Sequence, residues 1–183
     1  MQIHLTYTGP TNVTVSWATG EGIVTAAPVS NYSASEAGPT STVWYGTSSG
    51  NYTTNTSSTI FTSYSQIYNF SNANPILNYS SPLFHHVTIQ NLAASTLYYY
   101  KVGDAKLGMS QELNFTSPPA VGNTSYPFVL GVVADTGLTP NTTVTIQHLT
   151  DAKPQVWTLI GDFSYADDMQ TNGTLPPACN FCM

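Results

Sequence analysis

From residue 1 to about residue 117, apolar and polar positions alternate with a period of about two. Ile3, Leu5 and Tyr7 do so in MQIHLTYTG, and Val13, Val15 and Trp17 repeat it across the turn TGPTN. This period places every second side chain on one face of an extended chain, so these segments predict strands with one covered face. TVWYG (42–46) predicts another short strand, and TIFTSYSQIYNF (59–70) one or two more. HHVTIQNL (85–92) and TLYYYKVGD (96–104) are the clearest pair, and ELNFTS (112–117) closes the set. About seven short strands, rich in Thr, Val and Tyr, with a turn roughly every ten residues, predict a β-sandwich.

Trp17 on an early strand and the spacing Leu92-x-x-x-Thr96-x-Tyr98 resemble the fibronectin type III pattern. In that pattern a tyrosine corner ties a loop to the sheet. Ala94 stands where that family usually has proline. His85 and His86 are neighbours on a strand and point to opposite faces, so at most one serves any given site and both are expected in structural roles.

SPPAVGNTSYP (117–127), with Pro118, Pro119 and Pro127, has no apolar periodicity and reads as a linker. Beyond it the pattern changes. FVLGVVAD (128–135) is nearly continuously apolar, the signature of a strand buried on both faces. TTVTIQHLTDA (142–152) has the length of a modest helix, with Thr139 or Asn141 as its cap and Pro154 beyond its end. QVWTLIGD (155–162) predicts a second buried strand. Strand, helix and strand form a βαβ unit, so the two strands should run parallel with a right-handed crossover. The expected organisation is a sandwich over 1–117, a linker over 118–127 and the start of an α/β domain over 128–183, mainly β in all.

Composition narrows the function. Three lysines, no arginine and nine acids leave a net charge of −6, so no basic face for nucleic acid exists. No apolar run is long enough for a membrane span. Charged residues make up only 7%, and something else must hydrate the surface. Asn-X-Ser/Thr occurs at Asn12, Asn31, Asn51, Asn55, Asn69, Asn78, Asn114, Asn123, Asn141 and Asn172. Chance accounts for about three or four of these in a chain so rich in Ser and Thr. The excess points to N-linked glycans on a secreted protein, in the extracellular space, cell wall or vacuole. Because MQIHLTYTG already alternates as a strand, any export signal is expected to have been removed or to lie outside this sequence.

Candidate chemistry gathers at the carboxyl ends of the two buried-type strands, the functional edge of a parallel sheet. Asp135 ends one strand and Asp162 the other, with Tyr165 three residues on. Adjacent parallel strands lie about 4.8 Å apart, so two such carboxylates can share a cation. Carboxylates and a phenolate are hard oxygen donors suited to Fe³⁺.

ADTG and GDFSYAD resemble the first two metal-binding motifs, GDxG and GDxxY, of the purple acid phosphatases, whose plant-type members carry a fibronectin-like domain ahead of a metallophosphoesterase domain. QIHLTYTGPTNVTVSW, HHVTIQNLAASTLYYYKVGD, SYPFVLGVVADTG and the NGT…CNFC tail are similar to the plant enzymes too. The resemblance implies hydrolysis of phosphate monoesters at acid pH by an Fe(III) ion paired with Zn, Mn or Fe. It implies that Asp135 ligates the iron alone, that Asp162 bridges the two metals, and that Tyr165 is the phenolate responsible for the purple colour. The metals would polarise the phosphoryl oxygens and supply a hydroxide for in-line attack.

Ala134 replaces the usual first glycine of GDxG. The family's later motifs GNH, VxxH and GHxH are not found, and His148, within the predicted helix, is no substitute. Three of the family's seven ligands therefore have counterparts here, and the chain by itself is expected to be inactive. Asp167 and Asp168 read as loop or solvated acids. Cys179 and Cys182 are expected to form a disulfide with each other or with cysteines elsewhere, rather than a zinc or redox site. The alternative reading is a glycosylated, catalytically inactive β-sandwich for structure or interaction, which self-associates through unpartnered strands.

Overall fold

A computed structural model describes residues 2–26, 40–58, 60–68, 77–122, 127–137 and 139–163. Tyr165, Asp167, Asp168, Cys179, Cys182 and the sequons at Asn31, Asn69, Asn123 and Asn172 lie outside them. The chain divides into two compact units, Met1–Asn69 with Pro75–Gly122, and Phe70–Asn74 with Asn123–Met183.

The first unit carries β1 (Ile3–Gly9), β2 (Asn12–Thr19), β3 (Ile23–Ala26), β4 (Ser41–Gly46), β5 (Thr54–Ser58) and β6 (Phe61–Thr62). It continues through β7 (Ser65–Tyr68), β8 (Leu77–Ser80), β9 (Leu83–Ile89), β10 (Leu97–Asp104), β11 (Gly108–Met109) and β12 (Leu113–Thr116). One sheet has the order β1-β2-β9-β6. A second runs β11-β10-β4-β5, with β12 also paired to β10, and β3-β8-β7 form a small third sheet.

The two larger sheets make a sandwich because their alternating apolar positions face each other. Val13, Val15, Trp17, Val87 and Ile89 from one meet Val43, Tyr98, Tyr100, Val102 and Phe115 from the other, all buried. Each fully buried side chain of this kind contributes about 1.5–3 kcal/mol. The predicted strands are present, but the stretch 59–70 gives the short β6 and β7. The segments 85–92 and 96–104 do not pair with each other. β9 pairs with β2 and β6, while β10 pairs with β4, β11 and β12, so the chain crosses from one sheet to the other between them.

The crossing is fastened by the tyrosine corner that the fibronectin-like resemblance implies. The Ala93 amide donates to the Tyr98 hydroxyl oxygen at 3.0 Å. Asn91 and Ser95 take left-handed backbone angles in this turn, φ 57° and 48°, and buried Ser117 donates from its hydroxyl to the Ala93 carbonyl. The two histidines part as expected, His86 being exposed and His85 buried. His85 bridges the sandwich: Nδ1 lies 2.7 Å from Ser41 Oγ on β4, and Nε2 lies 2.7 Å from Thr19 Oγ1 on β2. Its ring stacks on Trp17 with centroids 5.0 Å apart.

In the second unit β13 (Leu130–Ala134) and β14 (Val156–Ile160) pair in parallel, joined through α1 (Pro140–Asp151). Thr139 is the N-cap, in a reciprocal capping box with Thr142, and Pro140 fills the first turn, where its missing N–H costs nothing. Gly131 is buried, and a Cβ there would run into Leu149 of α1 and crowd Pro154 and Trp157, so glycine lets helix and strand close up. Burial on both strand faces is not seen among the described residues: Leu130, Val132 and Ile160 are each more than half exposed. One helix covers one face, and these three lie on the other.

Burial, and secondarily the nearby His86, hold the His85 pKa below its ordinary value. The unfolded chain then takes up a proton that the folded chain refuses, so stability is full above pH of about 6.5 and declines as pH falls below it. Thermal unfolding followed from about pH 7.5 to about pH 5.5 should show a falling midpoint, flattened in His85→Gln. Glu112 and Asp104, held below their ordinary values by hydrogen bonds, lose their contribution only at lower pH, so they do not mask this window. A midpoint indifferent to pH across it would refute the assignment.

Candidate metal centre

Parallel pairing sets Ala134 beside Ile160, so the chain leaves both strands at the same level. Asp135 comes directly after β13, and Asp162 follows β14 with Gly161 between. Two backbone exceptions let the turns meet. Asp135 takes φ 44°, a left-handed conformation that Asp tolerates better than most residues. Gly161 takes φ 95°, and a Cβ on it would lie 2.7 Å from Asp135 Oδ1. Glycine is required there twice over, for the angle and for the space.

The turns are laced together. The Asp162 amide donates to Asp135 Oδ1 at 3.1 Å, and the Thr136 amide donates to the Asp162 carbonyl at 3.1 Å. The Thr136 hydroxyl donates to the Phe163 carbonyl at 2.7 Å, and the Thr142 hydroxyl, from the first turn of α1, donates to the Thr136 carbonyl. An open depression beside Asp135 is lined by Thr136, Gly137, Thr139, Asn141 and Thr142. Sequence reading singled out the two aspartates and missed these hydroxyls. The signal was present, because Thr136 sits inside ADTG and Thr142 inside TPNTT.

Asp135 and Asp162 are thus brought together, both exposed, at the carboxyl ends of two parallel strands. As hard oxygen donors they fit part of a site for a highly charged cation. Among the described residues no group of three or more His, Cys, Asp or Glu assembles to hold a metal. His148 lies exposed on α1 and is not part of it.

A family profile described as "Purple acid Phosphatase, N-terminal domain" matches residues 1–117. The chain belongs to the purple acid phosphatase family. Purple acid phosphatase 23 of Arabidopsis thaliana is 38% identical over 184 residues, which is 99% of this chain and 38% of that protein. Purple acid phosphatase 15 of the same plant is 47% identical over 112 residues, 61% of this chain and 20% of that protein. Among solved structures, purple acid phosphatase PPD1 from yellow lupin (Lupinus luteus) seeds matches 89% of this chain and 34% of its own, with 12% identity and a TM-score of 0.43. The chain therefore spans well under half of the length of these relatives. Full-length members of the purple acid phosphatase family have a metal centre.

Gly161→Ala is expected to strain the turn by roughly 1–3 kcal/mol and to push the Asp135 carboxylate aside. Amide hydrogen exchange reads this directly, because the Asp162 N–H would lose its acceptor and exchange faster. Unchanged exchange at Asp162 would mean that the carboxylate does not hold the turn.

Proposed function

We propose that this chain is the amino-terminal part of a secreted purple acid phosphatase whose full-length form hydrolyses phosphate monoesters at a dinuclear Fe(III)–M(II) centre, M being Zn, Mn or Fe. The observation that carries this reading is the hydrogen-bonded pair Asp135 and Asp162 at adjacent parallel strand ends, in a chain of this family. Residues 1–117 are the β-sandwich domain, 118–127 the linker, and 128–183 the opening of the catalytic domain.

Asp135, Asp162 and Tyr165 would hold the iron, with Asp162 shared with the second metal. Bound there, the metals supply Lewis acidity and an activated hydroxide. The contribution of this chain is positional: the Asp162 amide fixes one oxygen of Asp135, and Thr136 and Thr142 hold the two turns against the start of α1. With three ligands of seven, the 183 residues alone bind metal weakly and are not active.

Secretion and N-glycosylation complete the proposal. The described sequon asparagines, Asn12, Asn51, Asn55, Asn78, Asn114 and Asn141, are all exposed or half-buried, as carriers of sugar must be. No helix among the described residues is long and apolar enough to cross a membrane. Extracellular space, cell wall and vacuole are the compartments in keeping with this surface, and the cysteines Cys179 and Cys182 are then expected as disulfide partners.

In the full-length protein, Tyr165→Phe should abolish the visible colour, because the phenolate-to-iron charge transfer has no other source in the proposal. Retained colour would remove Tyr165 from the ligand set. The uncovered Leu130, Val132, Trp157 and Ile160 favour a second reading, an inactive sandwich module that self-associates. Sedimentation of the purified 183-residue chain should then give concentration-dependent oligomers without phosphatase activity. Clear metal-dependent turnover by that chain would eliminate this second reading.

A further inference from the structure

The outer face of the β11-β10-β4-β5 sheet carries an arrangement that neither the core nor the metal centre uses. Val43 on β4 is fully buried, so its neighbour Trp44 points outward, 36% exposed. The register sets Trp44 directly opposite Asn55 on β5. Residues directly opposed in an antiparallel pair share a face, with Cβ atoms about 4.5–5.5 Å apart. Asn55 is exposed and opens the sequon Asn55-Thr56-Ser57. On the far side of Trp44 its register partner is Lys101, whose Nζ lies 5.5 Å above the Tyr52 ring. The indole is thus flanked by a cation on one side and a glycan acceptor on the other.

The same arrangement recurs on the other flank of this sheet. Tyr99 on β10 is opposite Asn114 on β12, the exposed first residue of the sequon Asn114-Phe115-Thr116. Other described strand sequons lack it. Asn12 opposes Gly9, and Asn78 opposes Thr25 and Ile67.

We infer that Asn55 carries an N-linked glycan whose first N-acetylglucosamine packs its C–H face on the indole of Trp44. A pyranose ring offers polarised C–H groups on one side, and an aromatic face is electron-rich, so the two are complementary. The sugar replaces water over the largest aromatic surface of this face while keeping its hydroxyls solvated. It has a second effect, because β5 ends its sheet among the described residues and so presents an open ladder. A bulky polar group on an edge strand blocks pairing with another chain's strand. This inference rests on the secretory, glycosylated reading above.

The test uses the full chain secreted from eukaryotic cells. Glycopeptide mass spectrometry should find sugar on Asn55. If every sequon is bare, the secretory reading fails along with this one. If other sequons are occupied and Asn55 is bare, this inference fails alone. Contact with Trp44 is read by acrylamide quenching in a Trp157→Phe background, where Trp17, 3% exposed, stays inaccessible. Trimming each glycan to its first sugar should leave Trp44 protected, whereas Ser57→Ala or Asn55→Gln, which abolish the sequon, should cause loss of that protection. Equal quenching with and without the Asn55 glycan would overturn the stacking.

Discussion

Every β-sheet has two faces, and this chain must cover them with almost no charge, since Asp, Glu, Lys and Arg together make up 7% of it. Most of its structure follows from that constraint. The inner faces of the two large sheets cover each other with valines, tyrosines and phenylalanine. The outer faces carry hydroxyls, as where Thr14 bonds Thr88 at 2.8 Å across β2 and β9. They also carry the asparagines to which sugars can be attached. A hydroxyl hydrates a surface weakly, and a glycan does so strongly, so on the proposed glycosylated reading the excess of sequons would answer the shortage of charge.

The interior shows the same economy of charge. His85 is the one buried histidine among the described residues, and it is accommodated by hydroxyls rather than by an acid. Two neutral partners satisfy a neutral imidazole, one as donor and one as acceptor, and they bring no negative charge to offset that of an imidazolium. A carboxylate partner would have done the reverse. The bridge between β9 and β4 therefore favours the neutral form of the ring, as its lowered pKa reflects.

Much of the fold was legible because strand alternation is a local signal. The inward positions of β2, β9 and β10 could be read from Val13, Val15, Trp17, Val87, Ile89, Tyr98 and Tyr100, and the tyrosine corner from the spacing of Leu92 to Tyr98. Pairing was less legible: β9 and β10 are neighbours in sequence but belong to different sheets, and only the turn at 91–96 decides that. At the metal centre the aspartates were legible from their place after apolar runs. The φ 44° of Asp135 was not, because Asp fits several conformations, and the Asp162 amide and Gly161 that accommodate this one lie far away in sequence. The expected burial of β13 and β14 on both faces failed for a physical reason too. An apolar run shows that a strand is built to be covered, and says nothing of which chain segment does the covering.

The pair of aspartates at the strand ends has its own energetics. One carboxylate oxygen of Asp135 accepts from the Asp162 N–H, and no arginine exists in the chain to offset the charge of the pair. The nearby amino end of α1 offers some positive potential, worth about 0.3–1 kcal/mol at an exposed helix end. That is small beside the field of a multivalent cation, which would become the largest local charge if bound. A strained aspartate conformation, a glycine demanded by both angle and space, and two threonine hydroxyls tying the turns to the helix amount to a costly way to shape an ordinary loop. On the proposed reading they are economical as preorganisation, because ligands already fixed in place do not have to be ordered when a cation binds. The proposed ligand role accounts for this strain, and the local hydrogen bonds fix the two turns through these few residues.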